Sequence, residues 1–180
     1  MKSSILCLLL SCAPAAFAAQ NVAGAVKGTV KFVDRAGKVL VVDTDDGAKH
    51  TFHYAGDLAV HVGDDSEAAA TDTFRGVGAG SRVAVHYTVD GGRETAHEID
   101  KLGDGGLKVV HGTVTGVDHG ARKISVATAD GTVHTMRLTA SATDDAAKAT
   151  AKGAQKGAKV SIYYSEKAGE KTAHFIEKLG

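Results

Sequence analysis

The chain contains itself twice. Shifting the 180-residue sequence by 84 positions lays Val26–Tyr54 over Val110–Leu138 without a gap, with 12 identities in 29 positions. A shift of 77 lays Gly80–Gly103 over Gly157–Gly180, with 11 identities in 24. Such self-similarity is the mark of a duplicated unit, and each unit must be a structure that buries its own apolar face. The tail of each unit reads almost identically, "ETAHEIDKLG" at 94–103 and "KTAHFIEKLG" at 171–180.

Within a unit the pattern is that of short strands. Gly28–Val33, Lys38–Thr44 and Lys49–Tyr54 are rich in Val, Thr and aromatics, and turn residues separate them at Asp34–Gly37 and Asp45–Gly47. Arg82–Thr88 alternates, with Val83, Val85 and Tyr87 on the core face and Arg82, Ala84, His86 and Thr88 on the other. Glu94–Leu102 follows the turn Asp90–Gly92. Between the third and fourth strands the texture changes. Asp64–Thr73, with Asp64 and Glu67 spaced as a capping box, and Ala- and Lys-rich Asp144–Lys156 predict a short helix or ordered loop. Three strands, a connector and two strands is the chain order of an OB-like barrel, with an SH3-like barrel or a five-stranded meander as alternatives. The fold class is therefore mainly β, two tandem five-stranded barrels. The first spans 26–103, a linker 104–109, and the second 110–180.

The N-terminal residues 1–18 read as a signal peptide: Lys2, the apolar run Ile5–Leu10 and the small residues of Ala16-Phe17-Ala18 give its three regions, and a lead of residues 19–25 follows. A lipid anchor on Cys12 is the alternative reading of Leu9-Leu10-Ser11-Cys12. The run is too short for a transmembrane segment, which takes about 20 apolar residues. Both cysteines, Cys7 and Cys12, fall here, so cleavage leaves a domain without disulfide, thiol nucleophile or thiolate ligand. Periplasmic or secreted localisation in a bacterium fits. Charge is balanced, 21 basic against 21 acidic residues, and the two signs are interspersed, so no footprint for nucleic acid emerges.

The pattern Gly28-Thr29-Val30, Val33-Asp34, Asp46-Gly47, Gly80, Val83, Val85, Tyr87, Ala96 and Ile99, with its second-unit counterparts, resembles a family of bacterial exported domains of unknown function in which a small OB-like barrel recurs in tandem. The resemblance covers nearly all of the mature chain and implies a fold, but no activity, ligand or catalytic residue.

Histidine is the one chemically capable residue in excess, at nine. His50 and His134 occupy equivalent places, as do His97 and His174. Strict alternation puts His50 on the face of Phe52 and Tyr54, and His97 on that of Ile99, toward the barrel. Third and fifth strands are neighbours in an OB-type barrel, so the two histidines of each unit would approach one another, and a zinc or copper ion held there is the alternative reading. His50, His97, His134 and His174 are the candidate ligands. Asp100 is the nearest third donor, yet its parity sends it to the other face. The leading reading takes each histidine as a half-buried structural residue satisfied by a neighbour such as Thr51 or Thr95, with no cofactor bound. No serine sits in a Gly-x-Ser-x-Gly elbow, "GVGAG" at 76–80 lacks a phosphate-loop lysine, and no acidic loop has calcium-motif spacing. Phe32, Phe52, Tyr54 and Tyr87 read as core. The chain thus reads as an exported, non-enzymatic binding or structural module with a protein or small-molecule partner of unidentified kind. The alternative is a periplasmic metal-binding protein.

Overall fold

The computed structural model of the chain describes residues 22–63, 74, 76–151 and 156–180. Residues 1–18, read from sequence as a signal peptide, and the Asp64–Thr73 connector lie outside the described residues. Ten strands and one helix follow in order: β1 (Val22–Asp34), β2 (Val39–Thr44), β3 (Lys49–His61), β4 (Arg82–Asp90), β5 (Arg93–Leu102), β6 (Lys108–Asp118), β7 (Lys123–Ala127), β8 (Val133–Leu138), α1 (Ala140–Ala151), β9 (Lys159–Lys167) and β10 (Glu170–Lys178).

They form two closed barrels, β1-β2-β3-β5-β4 and β6-β7-β8-β10-β9. In each, every neighbouring pair is antiparallel except one: β3 runs parallel to β5, and β8 parallel to β10. A meander has no parallel pair, so that alternative falls away, and the order is compatible with an OB-like barrel. Closure leaves neither sheet an open edge.

Corresponding residues fold each unit in the same way. Val30, Leu40, Val42, Phe52, Val83, Val85 and Ile99 fill the first core, and Val114, Ile124, Val126, Met136, Val160, Ile162 and Ile176 fill the second. The Gly-Thr-Val glycine is there for space: a Cβ on Gly28 would lie 2.3 Å from the Asp43 carbonyl oxygen, and one on Gly112 would lie 2.5 Å from that of Ala127. The Val-Asp aspartate holds the following turn, Gly37 N–H donating to Asp34 Oδ1 and Ala121 N–H to Asp118 Oδ1, both at 2.8 Å. Thr44 and Thr128 each donate through Oγ1 to the aspartate two residues on, Asp46 and Asp130.

Strict alternation breaks at two bulges that recur in both barrels. β1 shifts register between Val30 and Phe32, and β6 between Val114 and Gly116. Phe32, read from sequence as core, is consequently 56% exposed. The closing strand shifts at the shared histidine: between Ala173 and Phe175 in β10, and opposite His86/Tyr87 on β4 in the first barrel. One extra residue restores the inward side three positions on instead of two. Ala96 and Ile99 therefore both face the core, as do Ala173 and Ile176. The Ala-x-x-Ile spacing in both tails is the sequence trace of this bulge.

The helix begins four residues before the predicted Asp144. Thr139 caps it, its Oγ1 accepting from Ala142 N–H at 3.1 Å, and Ala142 and Ala146 are buried on its inner side. The link between barrels is a tight turn. Gly103 and Gly105 take φ of 74° and 64°, Leu107 N–H donates to the Lys101 carbonyl at 2.8 Å, and a Cβ on Gly106 would lie 2.4 Å from that same oxygen. With no slack in the link, the barrels lie against each other. Their contact carries an apolar cluster of Ala84, Leu102 and Phe175, with Ala25 and Tyr163 packed around it, and an ion pair from Lys27 Nζ to Glu177 Oε1 at 2.6 Å.

Candidate metal centre

The outer face of the β4–β5 hairpin is the face that alternation sends to solvent, yet Ala84, His86, Glu98 and Asp100 on it are buried. The second barrel covers it. The covering face presents the corresponding positions of the β9–β10 hairpin, where Tyr163, Phe175 and Glu177 stand for His86, Glu98 and Asp100. Phe175 meets the His86 ring edge-on at 5.9 Å.

Beside this contact, four donors converge. Their ligand atoms lie within 4.8 Å of one another: His61 from the end of β3, Glu98 and Asp100 from β5, and His174 from the bulge of β10. Each has a side-chain exposure of 10% or less. His61 Nδ1 donates to Asp100 Oδ1 at 2.9 Å and lies 3.4 Å from Glu98 Oε1. His174 Nδ1 lies 3.8 Å from Glu98 Oε1 and 3.7 Å from Asp100 Oδ1. These four distances run from 2.9 to 3.8 Å. A tetrahedron of N and O ligands about 2.0–2.1 Å from a zinc ion has edges of about 3.3–3.4 Å.

Two atoms of the four are buried with no hydrogen-bond partner, Glu98 Oε1 and His174 Nδ1. Both belong to the inner set. Unpaired buried polar atoms are costly and call for an explanation. The remaining atoms of the same side chains are satisfied. His174 Nε2 bonds Ser165 Oγ at 2.9 Å, Ser141 Oγ of α1 donates to Glu98 Oε2, and His86 Nε2 bonds Asp100 Oδ2 at 3.1 Å. Outer groups of this kind fix tautomer and orientation in metal centres. The Ser165 bond in particular suits an imidazole that carries its proton on Nε2 and turns its Nδ1 lone pair inward.

The electrostatics are those of two buried carboxylates in search of positive charge. Burial, the largest single influence, pushes the His61 imidazolium toward losing its proton, but the carboxylates of Asp100 and Glu98 together outweigh it and lift its pKa from 6.5 to about 10. For Glu98 burial again acts first and upward. The imidazoles of His174, His61 and His86 and the Ser141 hydroxyl outweigh it and hold the carboxyl well below its ordinary range. A dication in place of the His61 proton would balance both carboxylates at once.

Of the four histidines singled out by sequence, one is in this group. His174 is buried; His97, its counterpart, is exposed at the other bulge, where Nε2 bonds Thr88 Oγ1 at 2.8 Å. The bulge turned His97 away from the core side that alternation had given it. His50 stacks on Phe52 with ring centroids 5.5 Å apart and bonds Glu94 Oε1 at 2.8 Å through Nδ1. His134 Nδ1 accepts from Lys171 Nζ at 3.0 Å, Lys171 standing where the first unit has Glu94. Asp100 does face away from its own barrel, and that is why it reaches the cluster. His61, His86 and Glu98 were not found from sequence. The available signal was Phe175: an aromatic on the nominally outer side of a closing strand says that this side is covered.

A serine–histidine–carboxylate line also runs through the cluster, from Ser165 through His174 to Asp100. Its second link, 3.7 Å, is too long for a hydrogen bond. Its first link recurs as Thr88–His97 at an exposed place with no carboxylate recorded at the ring, so the hydroxyl–imidazole pair is a property of the bulge rather than an activated nucleophile.

No protein-family model matches the chain, and no curated protein matches it in sequence. Among the described residues no helix is long and apolar enough to cross a membrane.

Proposed function

We propose that this chain is an exported, non-enzymatic binding protein that holds one divalent transition-metal ion of the zinc class between its two barrels. The observation that carries the reading is the pair of buried, unpartnered ligand atoms, Glu98 Oε1 and His174 Nδ1, completing a four-donor set with His61 Nδ1 and Asp100 Oδ1. Imidazole and carboxylate without thiolate favour zinc or cobalt(II) over copper(I). Four protein donors fill a tetrahedral ion, leaving no open position for substrate or activated water, which is the pattern of a structural rather than a catalytic centre.

Calorimetric titration of the chelator-treated protein with zinc chloride tests the reading. One site per chain is expected, weakened at least about 100-fold in Asp100→Asn and unchanged in His50→Ala and His134→Ala. Two sites per chain, one lost in His50→Ala and the other in His134→Ala, would instead place one ion in each barrel, and binding only at millimolar zinc would dispose of the metal altogether.

A further inference from the structure

The donors of the candidate centre are not shared evenly. His61, Glu98 and Asp100 belong to the first barrel, and only His174 belongs to the second. The distances divide along the same line. Within the first barrel Asp100 is bonded twice, to His61 at 2.9 Å and to His86 at 3.1 Å. Across the junction, His174 stands 3.7 and 3.8 Å from its two carboxylates, beyond hydrogen-bonding reach, and its Nδ1 is unpartnered. From the second barrel's helix, Ser141 donates a hydrogen bond to Glu98.

The rest of the junction is thin. Among the described residues its apolar part has three buried members, Ala84, Leu102 and Phe175, with Ala25 and Tyr163 half-buried against them. The Lys27–Glu177 pair is a partly exposed ion pair, with side-chain exposures of 20% and 31%, and pairs of that kind hold little. Interfaces between domains of one chain that are small and polar permit relative motion unless something fixes them.

Resting on the metal-binding reading, we infer that the ion is a clamp between the barrels: three donors on one side form a seat, His174 on the other closes it, and occupancy sets the orientation of one barrel against the other. The ion is the ligand that binds one arrangement only, so it shifts the population toward the closed junction. Neither barrel needs the ion for its own fold, since each has a complete core.

The test uses the full chain with Cys7 and Cys12 changed to Ser and one spin label on each barrel, at Thr51→Cys and Thr135→Cys, which are exposed positions on β3 and β8. Inter-label distances are measured by pulsed electron resonance after chelation and after addition of zinc chloride, with zinc content measured on the same samples. The expected result is a broad distribution that narrows to one distance when one zinc is bound, and a chain with His174→Gln that keeps the broad distribution in the presence of zinc while both barrels retain their β-sheet circular dichroism. Zinc bound with the same distribution before and after would overturn the clamp and leave the metal-binding reading standing. No zinc bound at micromolar concentration would overturn both.

Discussion

The imidazoles of His61 and His174 face each other across the junction of the two barrels, ring centroids 4.2 Å apart and planes inclined at 54°. They are 113 positions apart in the chain, and no shift that aligns the two units pairs them. The centre is therefore a product of how two similar barrels meet, not of what either contains.

Removing the anion at the middle of this arrangement is costly with or without an ion. Asp100 is fully buried and holds both His61 and His86. Asp100→Ala strands those imidazoles, and taking one partner from a buried charged pair costs about 3–5 kcal/mol. Urea denaturation of the chelator-treated variant checks this.

The two bulge histidines should separate cleanly. His97→Ala removes an exposed side chain whose one recorded partner is Thr88, and its effect on unfolding free energy should stay within about 0.5–1 kcal/mol. His174→Ala opens a buried gap beside Glu98 and Asp100 and abolishes tight zinc binding. Equal effects of the two substitutions on zinc affinity would contradict the assignment.

The cluster makes chelator-treated protein sensitive to pH in a direction fixed by its shifts. His61 has its pKa raised in the folded state, so its contribution is complete below pH 6.5 and is lost as pH climbs toward about 10. Glu98 has its pKa lowered, so its contribution is present above pH 4.5 and fades as pH falls through the lower folded value. The thermal midpoint should fall between pH 7 and pH 10, and the fall should disappear in His61→Gln. Because an ion must displace the His61 proton, apparent zinc affinity should rise about tenfold per pH unit over the same window.

At the barrel corners, Gly28→Ala and Gly112→Ala drive a methyl group into backbone at 2.3 and 2.5 Å. Overpacking of this kind costs about 1–3 kcal/mol at each site. Gly116→Ala, where a Cβ meets nothing within 4 Å, serves as the control in thermal melts.

These same glycines show what was readable in the sequence. Gly28, Asp34, Thr44 and Asp46 act on residues next to them in chain or in strand pairing, and their recurrence at Gly112, Asp118, Thr128 and Asp130 made strands, turns and the tandem barrels legible. The centre was not legible for two physical reasons. A one-residue bulge at His97 and His174 breaks the alternation on which facing was judged, and it changed the side assigned to both. The burial of His86, Glu98 and Asp100 depends on a second barrel docking on an outer face, a contact whose trace in the sequence is the single aromatic Phe175. His61 lies beyond the predicted end of its strand, where β3 runs on from Tyr54 to pair with β5 at Asp100.

Anomalous diffraction at the zinc edge, from crystals of the full chain grown with zinc chloride, tests the central claim most directly. The account predicts one peak per chain, about 2.0–2.1 Å from His61 Nδ1, His174 Nδ1, Glu98 Oε1 and Asp100 Oδ1. A peak beside His50 and Glu94, a pair of peaks within the barrels, or no peak at the junction would contradict it.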